Sequence, residues 1–171
     1  MKIKLASDIV TDSIVDGPGL RTVIWTQGCK HKCKGCHNPQ THDFNSGFEV
    51  SVDDVIKKIR KVKLQRGITL SGGDPFEQPE ALSIICKEAK KNNLDIWAYT
   101  GYTFEEIMNQ NNPNHKKWIT LLEDIDVLVD GRFIEDKKDI FIKFRGSKNQ
   151  RIIDVKKSLI NKKLIPHSDY I

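Results

Sequence analysis

The sequence predicts an α/β fold, a shortened open (βα) partial barrel with a mainly parallel sheet, on three observations. Short runs rich in β-branched residues alternate with stretches whose apolar residues recur at helical spacing, the pattern of strand–helix units. Several strand runs end directly in glycine-bearing turns, at Gly72-Gly73-Asp74, at Gly101 and at Asp130-Gly131-Arg132. The chain has 171 residues. A closed eight-stranded barrel takes about 250, and only about four strand–helix steps can be counted here. One domain over 1–171 is expected, with a core over about 9–150 and a C-terminal tail over 151–171.

A first strand is expected over 4–10, followed by the turn Ile14-Val15-Asp16-Gly17-Pro18-Gly19, in which proline fixes the backbone and glycine frees it. Residues 20–26, Leu-Arg-Thr-Val-Ile-Trp-Thr, read as the next strand, so the cysteine-rich stretch leaves the C-terminal end of a strand. That is the rim where α/β folds gather their chemistry. Residues 44–50 read as a loop. Ser51 and Asp54 make an acidic variant of a capping box ahead of Val52, Val55, Ile56, Ile59 and Val62, which share one helix face. Lys57 and Lys58 stand four positions after Asp53 and Asp54, the spacing of helix-surface ion pairs.

A short strand over 67–71 runs into Gly72-Gly73-Asp74-Pro75. A helix over about 79–92 turns Leu82, Ile85 and Ala89 to one side, and Cys86 beside that stripe reads as a core thiol. The strand over 95–100 ends at Gly101, Thr103 and Glu106 form a capping box, and 109–114 is an asparagine-rich break. A helix over 116–123, with Trp118, Ile119 and Leu122 inward, precedes a strand over 125–129. Beyond it, 141–144 and 152–155 read as edge strands or extended segments, and the tail from Lys156 is basic and weakly patterned.

With 38% hydrophobic and 30% charged residues the chain reads as soluble and rather polar. No apolar run is long enough to cross a membrane and no secretory leader occupies the first ten residues, so a cytoplasmic location is expected, with no membrane partner. The net charge of +5 does not point to nucleic acid, because the lysines are dispersed, partly offset by acids and not interleaved with aromatics. An acidic protein surface suits such a charge.

Three of the four cysteines, Cys29, Cys33 and Cys36, fall inside eight positions as Cys-x3-Cys-x2-Cys. Gly35 and Pro39 argue against a helix that would splay the thiolates apart. A clustering of three to one is not a paired disulfide framework. What remains is an iron–sulfur cluster, or a zinc site with His31 or His37 as fourth ligand. In the first case Cys86 lies too far along the chain to help, which leaves one iron open to a substrate. In the second the chain is a non-catalytic zinc-binding adaptor.

The triplet resembles the cluster signature of the radical S-adenosylmethionine enzymes. With Asp16-Gly17-Pro18-Gly19 before it and Ser71-Gly72-Gly73-Asp74-Pro75 after it, the chain is similar over about 9–150 to the glycyl-radical-enzyme activases, and within them to the branch serving the anaerobic ribonucleoside-triphosphate reductase. The resemblance implies a partial barrel of the radical SAM type, one [4Fe-4S] cluster held by Cys29, Cys33 and Cys36, and S-adenosyl-L-methionine chelated at the open iron. It further implies cofactor contacts from Gly35, Cys36 and His37, and from Gly72, Gly73 and Asp74, whose counterparts in the family take the methionine amino group. Asp130 and Arg132 join them, Arg132 matching a cation that meets the cofactor's carboxylate.

Taken alone, Gly-Gly-Asp-Pro is a turn signature and Asp130 with Arg132 a loop ion pair. Many relatives carry an aromatic residue between the second and third cysteines that packs on adenine. This chain has Gly35 there, so backbone contacts are expected instead. The implied activity is hydrogen abstraction from the α-carbon of a glycine on the reductase's large catalytic subunit, with a low-potential electron donor such as flavodoxin or ferredoxin. The second reading within the class is an activase for a pyruvate formate-lyase-like enzyme. No catalytic side chain beyond the cluster and cofactor is implied.

Overall fold

A computed structural model describes residues 1–170. The chain runs β1 (Lys2–Leu5), β2 (Val10–Ser13), β3 (Arg21–Thr26), β4 (Phe48–Ser51), α1 (Val52–Lys61), β5 (Gly67–Gly72), α2 (Pro79–Lys91), β6 (Asp95–Tyr99), α3 (Phe104–Met108), α4 (His115–Leu122), β7 (Val127–Asp130), β8 (Arg151–Asp154) and α5 (Val155–Asn161). The strands form one sheet in the order β4-β1-β3-β5-β6-β7-β8, with β2 also paired to β3. The neighbours β3, β5, β6 and β7 are parallel. The remaining pairings, β1 with β3 and β4, β2 with β3 and β7 with β8, are antiparallel.

The sheet is therefore mixed, with a parallel centre and antiparallel margins, and open, ending on β4 and β8. The expectation of a mainly parallel sheet holds for β3, β5, β6 and β7 at the centre and fails at the margins, where the strands are joined by turns or long loops. β4 overlaps the end of the stretch read as a loop, because its four residues are exposed or half-buried and show no period-two burial. The strand expected over 4–10 splits into β1 and β2. Residues 141–144 form no strand, and Phe144 sits at φ +57. The weakly patterned tail holds α5, whose N-terminus Asp154 caps by accepting from the Lys157 N–H.

Local signals explain most of the elements. Ser51 caps α1 through the Asp53 N–H, and the surface ion pair beneath it joins Lys57 to Asp54, three residues apart. Thr103 and Glu106 complete a capping box on α3. Alternation along the strands sends Ile24, Ile68, Leu70, Ile96, Ala98, Leu128 and Ile153 into one core, where they meet Ile59, Leu82, Ile85, Cys86, Trp118 and Leu121 from the helices. Trp118 enters that core with its indole N–H satisfied by the Phe76 carbonyl at 2.9 Å. No helix among the described residues is long and apolar enough to cross a membrane.

The other face carries a smaller apolar cluster of Trp97, Val127, Val129 and Ile152, against which Tyr99, Phe144 and Tyr170 pack. Near it the Arg21 side chain is fully buried, donating to Thr69 Oγ1 at 2.7 Å, to the Ile68 carbonyl at 2.7 Å and to Asp95 Oδ1 at 2.6 Å. A Cβ on Gly17 would stand 2.8 Å from Arg21 Cδ, so the Asp16-Gly17-Pro18-Gly19 turn folds onto this guanidinium. The turn ties into the sheet where Thr69 donates to the Asp16 carbonyl at 2.7 Å.

Candidate active site

The cysteine loop leaves the C-terminal end of β3 and is closed at its neck. Gly28 N–H donates to the Thr41 carbonyl at 2.8 Å, Cys29 N–H to the His42 carbonyl at 3.1 Å, and Gln27 Nε2 bridges to the carbonyls of Gln40 and Asp43. The loop then docks on the end of β5, where Gly73 N–H donates to Thr26 O at 2.7 Å and Asp74 N–H to Gly28 O at 2.9 Å. A Cβ on Gly73 would lie 2.3 Å from Gly28 O. The close backbone approach that glycine permits is thus made first to the cysteine loop itself.

Asp74 is the knot that joins three loops. Its buried carboxylate accepts from Thr100 Oγ1 at 2.9 Å, from the Gly101 N–H at 2.9 Å and from the Phe76 N–H at 3.0 Å, and stands 3.0 Å from His31 Nε2. His31, set between the first two cysteines, is itself buried and meets the Tyr102 ring edge-on at 4.4 Å. Its Nε2 is committed to Asp74, while its buried Nδ1 has no partner. An orphaned polar atom of this kind is costly unless a ligand answers it.

Above this knot lies a cavity of about 350 Å³, inside the range of small-molecule sites. It brings together Cys29, Cys33, Cys36, His37, Gly72, Gly73 and Asp74, with Ser71, Tyr99, Thr100 and Gly101 from the neighbouring strand ends. Gly131 lines it, but Asp130 and Arg132 do not. The fully buried Asp130 accepts from Arg151 Nε at 2.9 Å and from the Phe104 N–H at 2.7 Å, and Arg132 is exposed with its carbonyl held by Asn149. Gly35 also stands off the wall, at φ +73, where a Cβ would meet the Glu135 carboxylate at 2.9 Å.

Among the lining residues that went unread in the sequence, two bear on the chemistry. Phe133 brings an aromatic ring to 5.1 Å from His37, so a ring reaches the wall from a distant loop although position 35 is glycine. Arg145 brings a cation, with Nη1 donating to the Gln150 carbonyl at 3.3 Å and a buried Nε that has no partner. Both sit in the long connection between β7 and β8, where Arg145 is one basic residue among several and only the fold singles it out.

The donor set fits an iron–sulfur cluster. All four cysteines are free thiols. Burial, with the Asp74 charge next, pushes the Cys29 thiol up to about 11, and the N–H groups of His31 and Lys32 point at its sulfur and counter this. Burial also raises Cys33, opposed by the Phe133 N–H, and Cys36 Sγ accepts from the Asn38 N–H at 3.4 Å. Such N–H donors stabilise sulfur once a cluster has drawn off the protons. Among the described residues no three His, Cys, Asp or Glu side chains stand preset around a single ion. The ligands of a cube bind separate iron corners and need not meet at one point.

A sulfur-lined cavity at the strand ends of an open α/β sheet defines an iron–sulfur protein, and the family described as "4Fe-4S single cluster domain" matches residues 15–153. The chain is 37% identical over 148 residues to the anaerobic ribonucleoside-triphosphate reductase-activating protein of Vibrio cholerae, covering 81% of this chain and 90% of that one. It is 37% identical to the protein of the same name from Escherichia coli, covering 80% and 90%, and 36% identical to that of Enterobacteria phage T4, covering 81% and 86%. The chain belongs to this family of anaerobic ribonucleoside-triphosphate reductase-activating proteins.

Proposed function

We infer that the chain is a radical S-adenosylmethionine enzyme, folded as a partial barrel of that type, which activates the anaerobic ribonucleoside-triphosphate reductase by leaving a glycyl radical on its large catalytic subunit. The observation that carries this is the convergence of Cys29, Cys33 and Cys36 with Gly72, Gly73 and Arg145 on one cavity. When bound there, a [4Fe-4S] cluster and S-adenosyl-L-methionine supply reductive cleavage of the sulfonium to methionine and 5′-deoxyadenosine, the latter carrying a hydrogen taken from a glycine α-carbon.

The chain's own residues bind and orient. Cys29, Cys33 and Cys36 would ligate three irons. The Gly72-Gly73 backbone lines the place for the methionine amino group, and Arg145, with its unpartnered Nε, is the cation that suits a carboxylate. His37 and Phe133 offer rings to the adenine. Asp74 acts one step back, by fixing His31 and the loop after β6. Asp130 and Arg132 enter only through Gly131 between them, which lines the cavity. A low-potential donor such as flavodoxin or ferredoxin is the electron source that cluster chemistry in the cytoplasm calls for.

Anaerobic reconstitution followed by a strong one-electron reductant tests this reading. The protein should hold iron and acid-labile sulfide, release 5′-deoxyadenosine from S-adenosyl-L-methionine, and give a glycyl radical signal on added reductase. One equivalent of zinc without sulfide would establish the adaptor instead. Cleavage with a radical only on a formate-lyase-like partner would move the chain to the other activase branch.

A further inference from the structure

The connection between β7 and β8 does more than wall the cavity. It is a strap whose two legs pair, Lys148 N–H donating to Lys137 O at 2.8 Å and Asp139 N–H to Gly146 O at 3.3 Å, with a bridge between Lys138 and Ser147. On its inner side Phe144 packs against Trp97 and Tyr170, and Phe144, Arg145 and Gly146 line the cavity. Its tip does the opposite: Ile140 is 79% and Phe141 90% exposed. The turn between β2 and β3 repeats the arrangement, with Val15 and Asp16 lining the same cavity while Ile14 and Val15 are 72% and 73% exposed.

Single exposed apolar residues are ordinary, but two bare apolar tips, each continuous with one wall of the same cavity, are not explained by the fold. The strap is also cationic. Lys148 is paired to Asp139, whereas the exposed Lys137, Lys138 and Lys143 take part in no ion pair among the described residues. The cavity itself is too open-walled and polar to trap a peptide by burial, so a segment that must present an α-carbon to it needs anchorage outside.

We propose that Phe141 and Ile140 on the strap, with Ile14 and Val15 on the turn, form the docking surface for the glycine-bearing segment of the reductase, an extended peptide with apolar anchors flanked by acidic residues that meet Lys137, Lys138 and Lys143. This rests on the activation reading above. The apolar tips hold the segment, the lysines set its approach, and the glycine between its anchors is left over the cavity. Glycine suits that place because it carries no side chain, which leaves its α-carbon accessible.

The test compares the reconstituted full-length chain with Phe141→Asp and Lys143→Glu in three measurements: cofactor cleavage without partner, affinity for the intact reductase, and glycyl radical yield. Phe141→Asp should bind the reductase about tenfold or more weakly, as an interface anchor does. Its radical yield should fall at limiting protein and recover at high protein, with partner-free cleavage unchanged. Lys143→Glu should weaken binding at low salt and approach wild type at high salt. Wild-type affinity and yield in both variants would overturn the docking surface while leaving the activation reading intact. So would a change confined to self-association, which would make the tips an interface between two copies. Failure of the unaltered chain to place a radical on the reductase, despite cofactor cleavage, would overturn the activation reading first and the surface with it.

Discussion

One face of the sheet meets helices and the other does not, and the two are built from different chemistry. Under α1, α2 and α4 the strands contribute Ile24, Ile68, Leu70, Ile96 and Ala98, all buried, and the only titratable thiol there, Cys86, is held up in its neutral form by burial. On the other face the same strands contribute Arg21, Thr69, Ser71, Trp25 and Tyr99, and loops rather than helices cover them. An apolar face needs only size and spacing to be right, whereas a polar one needs every donor and acceptor matched. The face that must hold a ligand keeps unmatched groups at its cavity, His31 Nδ1 and Arg145 Nε, while on the helix side the Thr22 hydroxyl of β3 is left without a partner beside Ile24.

The cysteines give the sharpest way to break this contrast. Replacing Cys29, Cys33 or Cys36 singly by alanine should abolish the intact cluster, read as loss of iron, sulfide and the visible absorption. Cys86→Ala should keep the cluster, because its thiol lies in the helix-side core. Equal cluster loss in Cys86→Ala would mean that the two faces do not divide the chemistry as described.

The same difference governs how much could be read without coordinates. Val52, Val55, Ile56 and Ile59 on α1 and Leu82, Ile85 and Ala89 on α2 recur at helical spacing because one side of each helix is buried, so these helices and their core were legible. The cysteine loop and the Gly72-Gly73-Asp74 turn were legible as motifs, and the cavity gathers them. Of the antiparallel margins β8 was legible as an edge strand over 152–155, but β4 is too exposed to alternate, and α5 after β8 is too short to build a stripe. Nor were Arg145 and Phe133, which reach the wall only because the strap folds back from β7. Asp130 looked like a site residue from its place at a strand end, yet its partners are Arg151 and the α3 backbone.

Stability should separate the faces next. Arg21→Met removes a fully buried guanidinium and strands Thr69, Asp95 and the Ile68 carbonyl, so about 3–5 kcal/mol should be lost in urea unfolding. Leu82→Ala, a cavity in the helix-side core, should lose about 3 kcal/mol. Cluster content per folded molecule should survive both. Arg145→Gln should do the reverse, with stability within about 1 kcal/mol of wild type but cofactor affinity down roughly tenfold to a hundredfold, the worth of one hydrogen bond to a charged group. Unchanged affinity in Arg145→Gln would remove that residue from the carboxylate's place.

The smallest effect sharpens the comparison through pH. In the apo protein Cys29 is raised from its ordinary value of 9.0 to about 11, first by burial and then by Asp74, and Cys86 is raised further by burial alongside Asp124. A raised thiol means that between about pH 9 and pH 11 the folded chain still holds a proton that the unfolded chain has released. Stability therefore falls as pH rises through that window, and both thiols contribute to the slope. Cluster binding should split them. Once iron holds the Cys29 thiolate, its proton is absent from the folded state on both sides of the window, so its share of the decline disappears while that of Cys86 remains. Urea midpoints at pH 8 and pH 10.5 should thus fall most in the apo wild type, less in apo Cys29→Ser and less in apo Cys86→Ala. In the cluster-loaded protein, Cys86→Ala should flatten the slope further. An identical slope in apo Cys29→Ser and apo wild type would show that the cavity thiol is not held protonated by its surroundings.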